Sequence, residues 1–307
     1  MTGDSLLRLG SRSSPLARAQ AEWIASQLAV CPALVWVKSE GDQDRTTELN
    51  QFGGQGVFTA ALHQALFDDR VDAAVHSLKD LPAGDEEGIT LCCVPVREDQ
   101  RDVLVARDRL TLETLPEGAK IGTGSPRRAV LLRVLRSDIE VRDIRGNVDT
   151  RIRKTEEGEY DAVVLAAAGL ERLGWLERAS QIFEPEEMLP AVGQAALALQ
   201  VRSDDAEAID LVRVLDDRET RVAVTAERAF ERRLGGGCHA PIAAYGVVGY
   251  GPSPERAPLR LRALVGGEGR ILRGEMEGPA GDADALGVRL AEYLIAQGAE
   301  ALLEAAT

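Results

Sequence analysis

The sequence predicts an α/β protein built as two similar α/β lobes joined by hinge strands, followed by a small α+β C-terminal domain. Three observations carry this prediction. Short apolar runs bounded by glycine or proline alternate with amphipathic stretches over the first two-thirds of the chain. One strand–turn–helix plan occurs twice in the same order. Beyond about Asp216 the texture changes to a long charged helix, three strand-like segments and a last helix. The expected division is 1–95 with 196–215 as a first, discontinuous lobe, 96–195 as a second lobe, and 216–307 as the C-terminal domain.

Taken in order, Leu6 to Gly10 reads as a strand. Ser14 then serves as N-cap and Pro15 as first residue of a helix to about Ala29, with Leu16, Trp23, Ile24 and Leu28 as its buried stripe. Ala33 to Lys38 is a second strand. Glu40 to Gly56 is polar and glycine-bearing, long for a loop in a compact domain, and suits a lid over a site. A helix from about Val57 to Asp68 leads into the strand Val71-Asp-Ala-Ala-Val-His76. The chain leaves the sheet near Ser77, and Pro82 ends the segment. Ser77, Lys79 and Asp80 thus fall just past the carboxyl end of a strand, where open α/β sheets build their sites.

The repeat starts at Lys120-Ile-Gly-Thr-Gly-Ser-Pro-Arg-Arg128, which restates the plan of Arg8 to Pro15 with Ser125 in the place of Ser14. Tyr160 to Leu165 restates Val71 to His76. Between them, Glu140 to Ile144 is a strand, and Asn147 caps a helix carrying Arg151, Arg153 and Lys154. Ala166 to Leu173 begins another helix with Arg172 near its end. Leu189-Pro-Ala-Val-Gly-Gln194 is a turn-rich crossing, after which Ala195 to Val201 reads as a strand returning the chain to the first lobe. In the C-terminal part, a helix from Glu219 to Leu234 stops at Gly235-Gly-Gly-Cys238. Strands at Ile242–Gly249, Leu259–Val265 and Ile271–Glu277 and a helix at Asp282–Gln297 complete it.

Composition narrows the function. No apolar run approaches the ~20 residues of a membrane span, and the N-terminus carries neither a basic leader nor a signal-type stretch, so a cytoplasmic protein is expected. Cys31, Cys92, Cys93 and Cys238 form no CxxC pair and His63, His76 and His239 are scattered, which predicts no metal site. Cys31, Cys92 and Cys93 lie in or beside apolar strands and are expected in the core. The net charge of −14 argues against a nucleic-acid partner. Of 36 basic residues only Lys38, Lys79, Lys120 and Lys154 are lysine, and the remaining 32 are arginine, whose rigid fork matches carboxylate or phosphate.

Position gives those arginines meaning. Arg12 sits in the turn before one helix, Arg127 and Arg128 at the start of the equivalent helix, and Arg145 and Arg151 around a third helix start. In a two-lobed body these ends face one cleft, suited to a ligand with several carboxylates or phosphates. No GxxxxGKS loop occurs and Gly122-Thr-Gly-Ser125 is too short for a GxGxxG fingerprint, so nucleotides are disfavoured. Cys238, after three glycines, is expected to be an exposed thiol used as a nucleophile or attachment point.

Together these segments resemble the porphobilinogen deaminase (hydroxymethylbilane synthase) family. The motifs are Arg12-Ser-Ser-Pro15, Ala74-Val-His-Ser-Leu-Lys-Asp-Leu-Pro82, Arg97-Glu-Asp-Gln-Arg-Asp102, Gly122 to Arg128, Arg145-Gly-Asn-Val-Asp-Thr-Arg151, Leu189 to Gln194 and Gly236-Gly-Cys-His-Ala-Pro241. They run in family order over nearly the whole chain. The resemblance implies lobes like those of periplasmic binding proteins and a dipyrromethane cofactor held by a thioether to Cys238. It implies a transferase that joins four porphobilinogen units head to tail, releasing ammonia each time, to make hydroxymethylbilane in tetrapyrrole (porphyrin and haem) biosynthesis. By the same resemblance Ser14, Lys79, Ser125, Arg127, Arg128 and Arg145 hold the cofactor's carboxylates, and Arg12, Ser77, Arg151 and Arg172 lie nearer the substrate. Asp80 is the expected catalytic residue, its carboxylate stabilising the positive charge that develops near the pyrrole nitrogens. The expected partner is porphobilinogen alone, with no membrane or nucleic acid, and the expected state is a monomer.

Two departures stand out. Gln51 and Gln55 occupy lid positions where the family has lysine, and Ala195 stands where glycine is usual. Glutamine can still hydrogen-bond a carboxylate but brings no charge. The competing readings are a two-lobed anion-binding protein without turnover and an inactive paralogue.

Overall fold

A computed structural model describes residues 7–38, 59–84, 86–235, 240–267 and 270–305. The expected lid, Gln51 and Gln55 within it, and Cys238 lie outside these residues. In chain order come β1 (Arg8–Arg12), α1 (Pro15–Gln27), β2 (Ala33–Val37), α2 (Ala60–Phe67), β3 (Ala73–Ser77) and β4 (Ile89–Cys93). Next are β5 (Asp102–Ala106), β6 (Lys120–Gly122), α3 (Pro126–Leu135), β7 (Glu140–Arg142), α4 (Val148–Glu156), β8 (Ala162–Ala166) and α5 (Ala167–Arg172). Then follow β9 (Gln181–Ile182), β10 (Leu197–Arg202), α6 (Ala206–Arg213) and α7 (Arg218–Leu234). The chain ends with β11 (Ile242–Val248), β12 (Pro258–Gly267), β13 (Arg270–Pro279), α8 (Ala283–Ile295) and α9 (Ala299–Ala305).

These elements form two compact units, Met1–Arg97 with Ala196–Arg221 and Glu98–Ala195 with Val222–Thr307. The first holds a five-stranded sheet in the order β2-β1-β3-β10-β4, with β1, β2 and β3 parallel and β10 antiparallel to both neighbours. β3 is buried on both faces, as its continuous apolar run requires. Val75 packs with Leu9, Ile24 and Leu199 on one side, and Ala74 packs with Leu62 and Leu66 on the other.

The second unit holds a sheet in the order β7-β6-β8-β5-β9, with β6 parallel to β7 and β8, and β5 antiparallel to β8 and β9. The strand plan is the same, with β6 in the place of β1, β8 in that of β3 and β5 in that of β10. The sequence repeat is therefore a repeat of fold, and the two similar α/β lobes are present. Gly10 and Gly122 occupy equivalent places in β1 and β6. A Cβ there would come within 2.9 Å of Val71 and 3.0 Å of Ile144, so each lets a neighbouring segment pack against the strand.

The small α+β part is a three-stranded antiparallel sheet, β11-β12-β13, covered by α7, α8 and α9 around Phe230, Leu261, Leu290 and Leu302. Ala243 and Leu264 of its sheet also join Leu131 and Leu132 of α3 in one core, which explains why the C-terminal part and the second lobe share a compact unit. Among the described residues no helix is long and apolar enough to cross a membrane.

Three expectations change. Cys31 is exposed in the loop before β2 rather than in the core, whereas Cys92 and Cys93 are buried, and burial pushes the Cys93 thiol up to about 12. The inner stripe of α1 includes buried Gln20, while Leu16 and Trp23 are only half-buried. The strand expected from Ala195 starts at Leu197, because Ala195 has φ of +71°, a left-handed conformation outside the strand region. A side chain at such a position costs roughly 1 kcal/mol. Ala195→Gly is expected to raise stability by about 1 kcal/mol in urea unfolding with an unchanged m-value.

Candidate functional site

In the first unit, parallel pairing of β1 and β3 brings their carboxyl ends to one edge of the sheet. After β1, the Ser14 Oγ accepts from the Ala17 N–H at 3.4 Å and Pro15 opens α1. A capping hydroxyl uses a lone pair and keeps its O–H free to donate, so the cap does not prevent a carboxylate contact. After β3, the chain makes a 3₁₀ turn, Leu78–Asp80. Leu78 and Leu81 are buried, being three residues apart on the same side of that turn, and Lys79 is half-buried with Asp80 exposed. Two leucine anchors thus fix the turn that presents the expected catalytic carboxylate. Ser77 Oγ accepts from Gln20 Nε2 at 2.9 Å, a tie from β3 to α1 that hydrophobic patterning could not foresee.

His76, the residue before Ser77, is buried, and its Nε2 has no hydrogen-bond partner among the described residues. Burial, with the charges of His63 and Arg12 adding, pushes it down to about 3. His76 is therefore neutral near pH 7, so cationic charge at this edge comes from Arg12 and Lys79.

In the second unit the same geometry recurs. β6, β7 and β8 run parallel, and the turns after them carry Ser125 to Arg128, Arg145 to Arg151, and α5 with Arg172. Ser125 Oγ caps α3, accepting from the Arg128 N–H at 3.4 Å. Asn147 stands at the cap position of α4 but makes no side-chain cap bond. Arg145 is 40% exposed and lies 3.5 Å from the Asp143 carboxylate, a surface pair of little strength.

Arg151 donates from Nε to Gly146 O at 2.8 Å, and Arg172 donates from Nη2 to Ala195 O at 2.7 Å. Neither forms an ion pair among the described residues. Burial lowers both pKa values, with nearby Arg128 adding for Arg151, while Asp143 opposes for Arg151 and Glu98 for Arg172. Half-buried guanidinium groups held only by carbonyls suit an anionic ligand.

Arg127 and Arg128 stand in the first turn of α3. Both are buried, 3% and 6% exposed, and both bond the fully buried Asp102. Arg127 Nη1 reaches Asp102 Oδ2 at 2.7 Å, and Arg128 Nη2 reaches Oδ1 at 2.7 Å. Burial alone would push the Asp102 carboxyl up, but the two guanidinium groups outweigh it and hold the acid well below the usual range. One carboxylate serves two cations, and Arg127 Nε has no hydrogen-bond partner among the described residues. An orphaned N–H and a surplus positive charge fit a group bearing carboxylates. Asp102 closes the Arg97–Asp102 motif, but nothing in the sequence around it shows that its carboxylate is buried between two arginines.

Each unit thus gathers cations and hydroxyls at the carboxyl edge of an α/β sheet, the pattern of a protein that holds a small, carboxylate-rich ligand. Comparison with known proteins makes this specific. Residues 7–210 match the family model "Porphobilinogen deaminase, dipyromethane cofactor binding domain", and residues 221–296 match "Porphobilinogen deaminase, C-terminal domain". Curated porphobilinogen deaminases are similar along nearly their whole length. That of Roseiflexus sp. (strain RS-1) is 44% identical over 97% of this chain and 98% of its own. That of Acidothermus cellulolyticus (strain ATCC 43068 / DSM 8971 / 11B) is 46% identical over 98% of this chain and 92% of its own. That of Syntrophotalea carbinolica (strain DSM 2380 / NBRC 103641 / GraBd1) is 42% identical over 98% and 96%.

The chain belongs to the porphobilinogen deaminase family. It is a transferase that polymerises porphobilinogen head to tail into hydroxymethylbilane on a dipyrromethane cofactor, a step of tetrapyrrole biosynthesis.

Proposed function

We propose that the residues gathered at the two sheet edges divide this reaction among them. The observation that carries the reading is that Arg151 and Arg172 are half-buried, lie after parallel strands, bond only backbone carbonyls and form no ion pair among the described residues. Each pyrrole unit brings an acetate and a propionate, which supply the missing anions. Arg151 and Arg172, with Arg12 and Ser77, bind the incoming porphobilinogen. Ser14, Lys79, Ser125, Arg127, Arg128 and Arg145 hold the dipyrromethane carboxylates, and Cys238 carries its thioether. When bound, that cofactor supplies the pyrrole carbon on which the chain grows. Asp80 stabilises positive charge near the pyrrole nitrogens as ammonia leaves and the next bond forms. The stretch holding Gln51 and Gln55 acts as a lid whose glutamines hydrogen-bond carboxylates without adding charge.

On this reading the protein works in the cytoplasm as a monomer and engages no nucleic acid. A net charge of −14 and an aromatic content of 4% support the last point, since base stacking and phosphate contacts need the opposite. Residues 216–307 act as a domain of their own, a proposal supported by the core around Phe230, Leu261 and Leu290.

Steady-state kinetics of Arg151→Gln and Arg172→Gln test the division of roles. One charge-assisted contact is worth about 1.5–3 kcal/mol, so KM for porphobilinogen should rise by roughly 10- to 100-fold. The covalent cofactor should still form in both. An unchanged KM in either variant would remove that arginine from the substrate site.

A further inference from the structure

Two of the motifs that carry the family resemblance, Arg97 to Asp102 and Leu189 to Gln194, have no role in the division above. Both converge on the Asp102 carboxylate. Asp102 opens β5, opposite the last residue of β8, Ala166, which places it at the same sheet edge as the start of α3. It accepts from Arg127 Nη1 at 2.7 Å, from Arg128 Nε at 3.1 Å and Nη2 at 2.7 Å, and from Gln194 Nε2 at 2.9 Å. Three of these donors fall on Oδ1 and one on Oδ2, so four donors share a single carboxylate.

The donors are fixed in turn. Gln194 Nε2 also bonds Gln100 O at 2.7 Å, Arg127 Nη1 also bonds Leu189 O at 2.7 Å, and Arg128 Nη1 bonds Val164 O at 3.0 Å. Each guanidinium plane is therefore held by bonds to two or more segments. Arg127 spends both Nη1 protons on this scaffold and keeps its Nε proton unpartnered. A triad present only for stability would leave neither a buried donor unmet nor a surplus positive charge in the core.

We propose that Asp102 is a positioning residue for cofactor loading. By bridging Arg127 and Arg128, with Gln194 bracing it, Asp102 aims the remaining N–H groups of both arginines at carboxylates of the dipyrromethane. The proposal rests on the reading that those arginines hold the cofactor. Its consequence is that loading should depend on the orientation of the arginines as well as on their charge.

The test uses full-length apoprotein from a host that makes no porphobilinogen, titrated with porphobilinogen and followed by intact mass. Asp102→Asn removes the bridging charge. Gln194→Met removes the brace while leaving Asp102, Arg127 and Arg128 in place, and guards against failure of the first variant to fold. The concentration for half-loading is expected to rise about tenfold or more in Asp102→Asn and several-fold, roughly three- to tenfold, in Gln194→Met. Thermal midpoints are measured alongside. A lowered midpoint with wild-type half-loading in the folded fraction of either variant would make the cluster purely structural and overturn the proposal. Arg128→Gln separates the two levels of argument. If it fails to load while Asp102→Asn and Gln194→Met load normally, only the role of Asp102 is lost; if it loads normally, the underlying reading of the arginines is lost.

Discussion

Asp80→Asn is expected to retain the covalent dipyrromethane and to lose about 100- to 1,000-fold in turnover, the cost of removing one preorganised charge from a transition state. The substitution keeps size and shape. Leu78 and Leu81, the anchors of the Leu78–Asp80 turn, are untouched, and Asp80 is exposed, so stability should change by no more than about 0.5 kcal/mol. What is lost is the negative charge. The neighbouring groups at that edge, Arg12 and Lys79, are cationic, and His76 is neutral because burial holds it at about 3. Bond formation between pyrroles would build up positive charge that those cations disfavour, and Asp80 is the group of opposite sign in its turn. Ammonia release under saturating porphobilinogen measures turnover, and intact mass reports the cofactor separately. Wild-type ammonia release would remove Asp80 from the chemistry.

The fold was legible wherever local pattern and tertiary role agree. Ser14 and Ser125 cap α1 and α3 as the Ser-Pro pairs announce, and the resemblance of Tyr160–Leu165 to Val71–His76 is realised as β8 and β3 at equivalent places in two sheets. The cases that escaped are polar groups whose partners lie far away in sequence. Gln20 turns inward because Ser77 waits 57 residues later, and Asp102 is buried because Arg127, Arg128 and Gln194 meet it there. A signal for the second case was present. Arg127 and Arg128 lie in the first turn of a helix, against the macrodipole, where unpaired cations are disfavoured. Such a pair calls for a buried carboxylate, and Asp102, beside an apolar run, was available to supply it. Ala195 shows the opposite limit: alanine itself gives no sign of a left-handed φ, and the only hint was that the family usually has glycine at this position.

Cys238→Ser carries the other large effect, a complete loss of the covalent cofactor and with it of turnover. Attachment would join the thiol sulfur to the methylene carbon of porphobilinogen as the carbon–nitrogen bond breaks; the thiol proton would leave with the amine as ammonia, and no oxidant or reductant would be needed. A thiol near pKa 8.5 offers a few per cent of thiolate at neutral pH, whereas a serine hydroxyl offers essentially no alkoxide. The change is conservative in volume, so the folded chain should survive. The wild-type protein from a host competent in porphobilinogen synthesis should show a mass increment of two pyrrole units, and Cys238→Ser should show the bare chain mass. The arginines would remain, so the variant should still bind porphobilinogen reversibly, which separates loss of the tether from loss of the site. An unmodified wild type from such a host, soluble and folded, would leave an anion-binding protein in place of the enzyme. An adduct that persists in Cys238→Ser would move the tether to another nucleophile, and peptide mapping would locate it.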